Sequence, residues 1–329
     1  MEISIKQIRS LAAEVMSQRG LSKNEIEMIL DHLTEAELTG RPSHGFVRIA
    51  RLCKKLDESP VKEITVVKET PISALLDGGN RPGIVVATKA TEIAVKKAKK
   101  NHVGLVGGYN TDAIAVAGFY ARKAALQGLI SLVTCNSVAG VAPWGSIDCI
   151  MGTNPLAIAI PTDREPIVLD FATSKTTYGS VVVAAKKGEQ IPLGLVIDKN
   201  GNPTTNPNDL PNGGALLPIA DHKGSGLGLM LEILAGPMVN AKGGKNAVPG
   251  SWGFFMMVFD PKIFVPSQVL NERLNKMIDE IKASRCAPGF NEILLPGEKS
   301  SRLRKQNQTK DMLDIPDQIV KDIQALRKG

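Results

Sequence analysis

Aromatic side chains are scarce in this chain. Only 4% of its 329 residues are Phe, Trp or Tyr, too few for an extended base-stacking or sugar-binding platform. Cysteine is scarcer still: Cys53, Cys135, Cys149 and Cys286 stand far apart and form no Cys-x-x-Cys pair. That spacing argues against a zinc site and a disulfide scaffold and fits a reducing cytosol. No apolar run approaches the ~20 residues of a membrane span. The opening "MEISIKQIRS" is charged and helix-like rather than a signal peptide. These absences predict a soluble cytoplasmic protein without a membrane partner.

The common catalytic and nucleotide signatures are missing too. The nearest approach to Gly-x-Gly-x-x-Gly is "GSGLG" (Gly224–Gly228), but Leu229 stands where the third glycine belongs, and the preceding "PIADHK" is too polar for a buried strand. There is no Walker A loop, no His-Glu-x-x-His helix and no Gly-x-Ser-x-Gly elbow. No clustered ligands speak for a metal. The formal charge of +7 is spread along the chain, and "KKAKKN" (Lys96–Asn101) and "SRLRKQ" (Ser301–Gln306) read as solvated helix faces, so no nucleic-acid partner is expected.

What is present is an ordinary globular composition, 43% hydrophobic and 22% charged, in a chain long enough for two domains. "SIKQ" (Ser4–Gln7) and "SKNE" (Ser22–Glu25) both fit the capping box. Each is followed by apolar residues at helical spacing: Ile8, Leu11, Ala12 and Val15, then Ile26, Ile29, Leu30 and Leu33. After the break at "TGRPS", Ser43 is placed to cap a third helix through "HGFVRIARLCKKL", with His44 and Arg48 on one face. Strand-like segments follow: "ITVVKE", "SALLDG", "VGLVGG", "LISLVTC", "PLAIAIP", "PIVLDFA" and "LGLVID". A long helix runs through "VVATKATEIAVKKAKK", a buried helix is expected at "GLGLMLEILAG", and the strand "WGFFMMVFDP" precedes two C-terminal helices. The pattern predicts a mixed α/β fold. Residues 1–120 and 290–329 would form a mainly helical domain, and 121–289 a mixed sheet domain. His32 and His102 sit in amphipathic helical contexts and read as structural.

With only four histidines in the chain, the stretch "RPSHGFVR" (Arg41–Arg48) stands out. On spacing alone Ser43 also reads as a helix cap, His44 as a partly buried polar residue and Arg48 as a surface charge. Taken in order, however, "PSHGFVR", "CNSVAGVAPWG", "GTNPLAIAIPT", "LDFATS", "DHKGSG" and "LPGEKSSR" resemble the type-2 malate/L-lactate dehydrogenase family over nearly the whole chain. That family also contains sulfolactate and ureidoglycolate dehydrogenases, 2,3-diketogulonate reductase and piperideine-2-carboxylate reductase.

The resemblance implies a non-Rossmann dinucleotide-binding fold, a homodimer, and interconversion of a small 2-hydroxy acid with its 2-oxo acid, using NAD or NADP. Reduction of a cyclic imino acid, or dinucleotide binding without catalysis, are the alternatives. Carried over residue by residue, His44 is the proton donor and acceptor with Ser43 beside it. Arg48 binds the substrate carboxylate, and Thr153 lies near the substrate. Asn136, Ser137, Asp170, Phe171, Ala172, Thr173, Ser174, Tyr178, His222, Lys223, Gly297, Glu298, Lys299 and Arg302 line the cofactor. The sequence departs from the family at two points. Ala113 stands where many relatives carry a second histidine, and "YGS" (Tyr178–Ser180) where the imino-acid reductases carry a relay aspartate. "YG" together with "KGSG" is closer to the diketogulonate reductase pattern, which favours NAD over NADP.

The chemistry accounts for these residue types. Hydride addition to a 2-oxo acid builds negative charge on the carbonyl oxygen, which a histidine with an ordinary pKa of ~6.5 can neutralise by giving a proton. A planar guanidinium fork holds the neighbouring carboxylate with two parallel hydrogen bonds.

Overall fold

A computed structural model describes residues 1–327. A short strand β1 (Glu2–Ser4) runs straight into α1 (Ile5–Ser17), and α2 (Lys23–Leu38) follows. Both predicted capping boxes form. Ser4 Oγ accepts from Gln7 N at 3.2 Å and Gln7 Oε1 accepts from Ser4 N at 3.2 Å; the Ser22–Glu25 pair repeats this at 3.3 and 2.9 Å. A 3-10 turn, Pro42–His44, leads to α3 (Arg48–Glu58). Next come β2 (Thr65–Glu69), β3 (Ser73–Asp77), α4 (Gly83–Asn101), β4 (Val103–Thr111), α5 (Ala117–Ala125), β5 (Ile130–Cys135), β6 (Leu156–Ile160) and β7 (Ile167–Phe171). The remainder comprises α6 (Tyr178–Lys187), β8 (Val196–Ile197), β9 (Pro203–Thr204), β10 (Ala215–Leu216), α7 (His222–Ala235), β11 (Trp252–Phe259), α8 (Ser267–Lys282), α9 (Glu298–Lys310), β12 (Met312–Asp314) and α10 (Asp317–Gln324).

Seven strands form the central mixed sheet in the order β2-β3-β4-β11-β5-β6-β7. Only the β3–β4 pair is parallel, and α4 makes its crossover. Alternate residues of β11, Phe254, Met256 and Val258, enter the main core, where alanine-rich faces of α4 (Ala87, Ala90, Ala94, Ala98) and α5 (Ala117, Ala121, Ala124) cover the sheet. Small side chains bring these helices close: a Cβ at Gly104 would collide with the carbonyl of Ala94. A second core joins the two ends of the chain. Ile8, Ile29, Leu33, Phe46 and Ile49 pack with Leu313, Ile315, Val320 and Ile323, while β1 pairs with β12 antiparallel. A third, smaller core lies under the β10-β8-β9 sheet and α6.

The structure corrects several expectations. The third helix begins at Arg48, not at His44, and Ser43 does not cap it. A Cβ at Gly45 would run into the Glu37 carboxylate, so the chain turns tightly against α2 before helix can start. Helix α7 starts earlier than expected and is not buried all round: Leu229, Met230 and Ile233 are 47%, 52% and 43% exposed. Three C-terminal helices follow β11 rather than two, and β2, β3 and β4, all within the first 120 residues, belong to the sheet.

Arg304 of α9 ties these layers together. Its buried guanidinium donates to Glu35 of α2 at 3.0 Å and to Glu165, just before β7, at 2.9 Å. Removing it takes Glu35's partner away, while Glu165 keeps Arg122 at 3.2 Å and Lys305 at 3.3 Å, so Arg304→Ala is expected to cost about 1–3 kcal/mol, read as a lower denaturation midpoint with unchanged slope.

Candidate active site

The Pro42–His44 turn is clamped from two sides. Arg41 forms an ion pair with Asp170 in β7, and Glu37 of α2 accepts a hydrogen bond from Phe46 N at 2.9 Å. Phe46 itself is fully buried and anchors the chain beyond the turn. Burial pushes the Glu37 carboxyl up to about 7, opposed only by its bond from Phe46. Within this clamp Ser43 Oγ lies 3.0 Å from His44 Nδ1, and Arg48 Nε donates to the Ser43 carbonyl at 3.1 Å. Ser43, His44 and Arg48 therefore do form one cluster, although through a folded turn and not a shared helix face.

The electrostatics of the cluster are lopsided. Burial, then the nearby Arg48 and Arg41 charges, lower the His44 pKa to about 4. Burial also lowers that of Arg48, with the Arg51 charge adding to it and Asp112 acting in opposition. No carboxylate among the described residues lies within ion-pair distance of Arg48. Behind it, His32 is fully buried, keeps its ring neutral, and accepts from Val116 N on Nε2 at 3.0 Å, which gives it the structural place expected for it. His102, by contrast, is an exposed left-handed cap that ends α4.

The ends of β5 and β6 form the neighbouring wall. Asn136 is buried and its side chain is committed to the scaffold, donating to Lys242 O at 2.7 Å and accepting from Gly253 N at 2.9 Å. Ser137 Oγ accepts from Thr153 N at 3.3 Å, and Thr173 Oγ1 donates to Thr153 O at 3.1 Å. Beneath them lies Glu232 of α7, 5% exposed, which accepts from Asn154 Nδ2 (2.6 Å), Gly152 N (3.2 Å), Gly244 N (3.0 Å) and Asn136 Nδ2 (3.4 Å). Four N–H donors stand in for the solvation this carboxylate has lost.

Past Asp170 and Phe171, the loop through Ala172, Thr173 and Ser174 is zipped to the segment that enters α7. Ile219 N donates to Thr173 O and Lys175 N to Leu217 O, both at 2.8 Å. The loop ends at α6, where Tyr178 is exposed, and the partner segment at α7, where His222 and Lys223 are exposed. No side chain caps α7, because the Asp221 carboxylate turns to Lys175 at 3.1 Å. An uncapped helix N-terminus with Lys223 in its first turn suits a phosphate. A Cβ at Gly179 or Gly226, near the two helix starts, would meet nothing within 4 Å. These donors and this open ground fit an anionic dinucleotide. At the other side of β7, Gly297 packs on Val168 in a left-handed conformation. Glu298 is held by Lys282 and Arg302, and Arg302 by Glu292 at 2.6 and 2.7 Å, while Lys299 is exposed. None of these ion pairs reaches the Ser43–His44 turn.

Three residues of the site escaped the sequence reading. Arg41 stood inside the quoted octapeptide, and Glu37 just before it, but their partners are set by tertiary packing. Glu232 did leave a signal, as the one charge in the apolar run "GLGLMLEILAG".

Fold and site together point to one class of protein, dehydrogenases that act on hydroxy acids with a nicotinamide dinucleotide. The chain belongs to the malate/L-lactate dehydrogenase family, whose model matches residues 3–324. It is 37% identical over 305 residues to a malate dehydrogenase of Pyrococcus horikoshii, covering 88% of this chain and 85% of that protein. It is 32% identical over 336 residues to a malate/(S)-sulfolactate dehydrogenase of Methanothermus fervidus, covering 99% and 97%. The solved sulfolactate dehydrogenase of Methanocaldococcus jannaschii superposes with a TM-score of 0.91 at 32% identity, covering 99% of this chain and 96% of that one.

The histidine resonances offer a direct check of the electrostatics. By NMR, His44 is expected to titrate near pH 4 in the free protein. Oxalate, by neutralising Arg48, should move that midpoint upward by roughly one unit or more; a midpoint indifferent to oxalate would mean that the anion binds elsewhere.

Proposed function

We propose that this protein interconverts a small 2-hydroxy acid and its 2-oxo acid, with NAD preferred to NADP. One observation carries the proposal: a half-buried Arg48 guanidinium, free of carboxylate partners, beside a histidine held by Ser43. A charge drawn out of water without a counter-ion is costly, and a substrate carboxylate supplies the missing one. Arg48 spends Nε on the Ser43 carbonyl, which leaves both Nη groups for a two-pronged grip.

His44 is neutral near pH 7, so in the oxidative direction its Nε2 takes the hydroxyl proton while Ser43 holds Nδ1. In the reductive direction the protonated ring returns that proton to the carbonyl oxygen. Occupation of Arg48 by an anion favours the protonated ring, because it cancels the repulsion that lowers the pKa. The nicotinamide dinucleotide, when bound, supplies or accepts the hydride.

Thr153 borders the substrate in this proposal, and Ser137 and Asp170 through Ser174 the cofactor. Tyr178, His222 and Lys223 then face its phosphates at the two helix starts. Glu298 and Arg302 brace that side from α9. The terminal helices, within residues 1–120 and 290–329, carry the proton and carboxylate chemistry, and residues 121–289 hold the dinucleotide. Preference for NAD rests on the "YG" and "KGSG" segments. A homodimer is supported by the exposed apolar face of α7, and a cytoplasmic setting by the wide spacing of the cysteines, which form no Cys-x-x-Cys pair.

His44→Ala is expected to lower kcat by about 10²–10⁴-fold while NADH binding, followed by fluorescence, persists. Arg48→Ala should chiefly raise the KM for the acid. Unchanged rates in both variants would sink the assignment. The pH dependence has a sign as well. Above a pKa of about 4 the protonated fraction of His44 falls tenfold per unit. kcat/KM for 2-oxo acid reduction should therefore fall with rising pH, while that for hydroxy-acid oxidation stays level on the histidine limb.

A further inference from the structure

Beside Arg48 lies a small hollow of about 40 Å³, room for roughly three water molecules. Its walls are mostly apolar: Ile29 and Leu33 from α2, Leu52 from α3, Ile84 from α4, and the methyl of Ala113. The loop that carries Ala113 is laid directly on the start of α4, because a Cβ at Gly83 would collide with the carbonyls of Asp112 and Ala113. The hollow is therefore bounded by fixed backbone and by side chains of the helical core.

Arg48 is the one cation on its wall without a carboxylate partner among the described residues. Arg51, the other, lies 3.7 Å from Asp112 and 5.9 Å from the centre of the Trp252 ring. Asp112 also faces Lys55 at 3.6 Å. A guanidinium that would grip the C1 carboxylate thus borders a space whose remaining wall is mostly carbon, with Arg51 and Asp112 turned to each other.

We infer that this hollow receives the aliphatic side chain of the substrate, so that the enzyme prefers 2-oxo and 2-hydroxy acids of about four to six carbons to pyruvate and to dicarboxylates. The inference rests on the proposed function and deepens it by naming the substrate class. A methylene that moves from water into such a site contributes roughly tenfold or more in specificity. A second carboxylate placed there would lose its water, face the Asp112 carboxylate and meet an Arg51 already paired with Asp112 at 3.7 Å.

The test compares kcat/KM with NADH for pyruvate, 2-oxobutyrate, 2-oxovalerate, 4-methyl-2-oxovalerate and oxaloacetate. It is paired with the rise in melting temperature that the matching 2-hydroxy acids produce without cofactor. 2-Oxovalerate is expected to exceed pyruvate by at least about tenfold, and 2-hydroxyvalerate to stabilise the protein more than lactate. Filling the hollow by Ala113→Leu should cut the 2-oxovalerate-to-pyruvate ratio by a similar factor. Leu52→Phe, from the opposite wall, should do the same and carries the test if Ala113→Leu does not fold.

A preference for pyruvate or oxaloacetate, or a ratio unmoved in folded variants, overturns the inference. The failure of the underlying function looks different: none of the acids is reduced and none shifts the melting temperature. If pyruvate is reduced and Arg48→Ala impairs it while the chain-length ratio stays flat, only the side-chain assignment falls.

Discussion

The ion pair between Arg41 and Asp170 is the constraint on which the site depends. It crosses from the turn after α2 to the end of β7, so the helical body built from the two chain ends is pinned to the sheet beside His44. Asp170 is almost wholly buried at this contact, and its carboxylate packs on Gly118 at the start of α5. Ionic contacts held in that way resist salt and solvent far better than those on a surface. With the turn fixed, a small set of local bonds does the rest: Ser43 to His44, Arg48 to Ser43, Glu37 to Phe46.

A second buried carboxylate organises the opposite wall. Glu232 gathers Asn136, Gly152, Asn154 and Gly244, four residues from two separate loops, around one side chain of α7. Among the described residues no cation pairs with it; directed N–H groups solvate it instead, which fixes its geometry. The two walls thus rest on different physics. One is an ion pair between distant segments, the other a carboxylate wrapped in amides.

Local chemistry was readable from the amino acids, and distant chemistry was not. The capping boxes at Ser4 and Ser22 depend on residues three apart, and both form as read. The sheet strands β3 to β7 and β11 announced themselves by short apolar runs between turn residues. The helix expected from Ser43 starts only at Arg48, because Phe46 N is bonded to Glu37 of α2 and Gly45, which lets the chain lie against that carboxylate, is in a non-helical conformation. The short α5 and α6, nine and ten residues, left little periodic signal. In the site, the closeness of His44 and Arg48 was legible from their spacing. The Arg41–Asp170 pair, 129 residues apart in sequence, was not.

The pairing of β1 with β12 also sets an order of events in the cell. Ile3 lies opposite Leu313, and Leu313, Ile315, Val320 and Ile323 complete the core around α1, α2 and α3. During synthesis the sheet strands, all present once Phe259 has left the ribosome, can associate while the N-terminal helices still wait for their partner. The segment that holds His44 is therefore made before the sheet strands and enclosed after them. The packing around the Pro42–His44 turn is complete only when Leu313, Ile315, Val320 and Ile323 are in place.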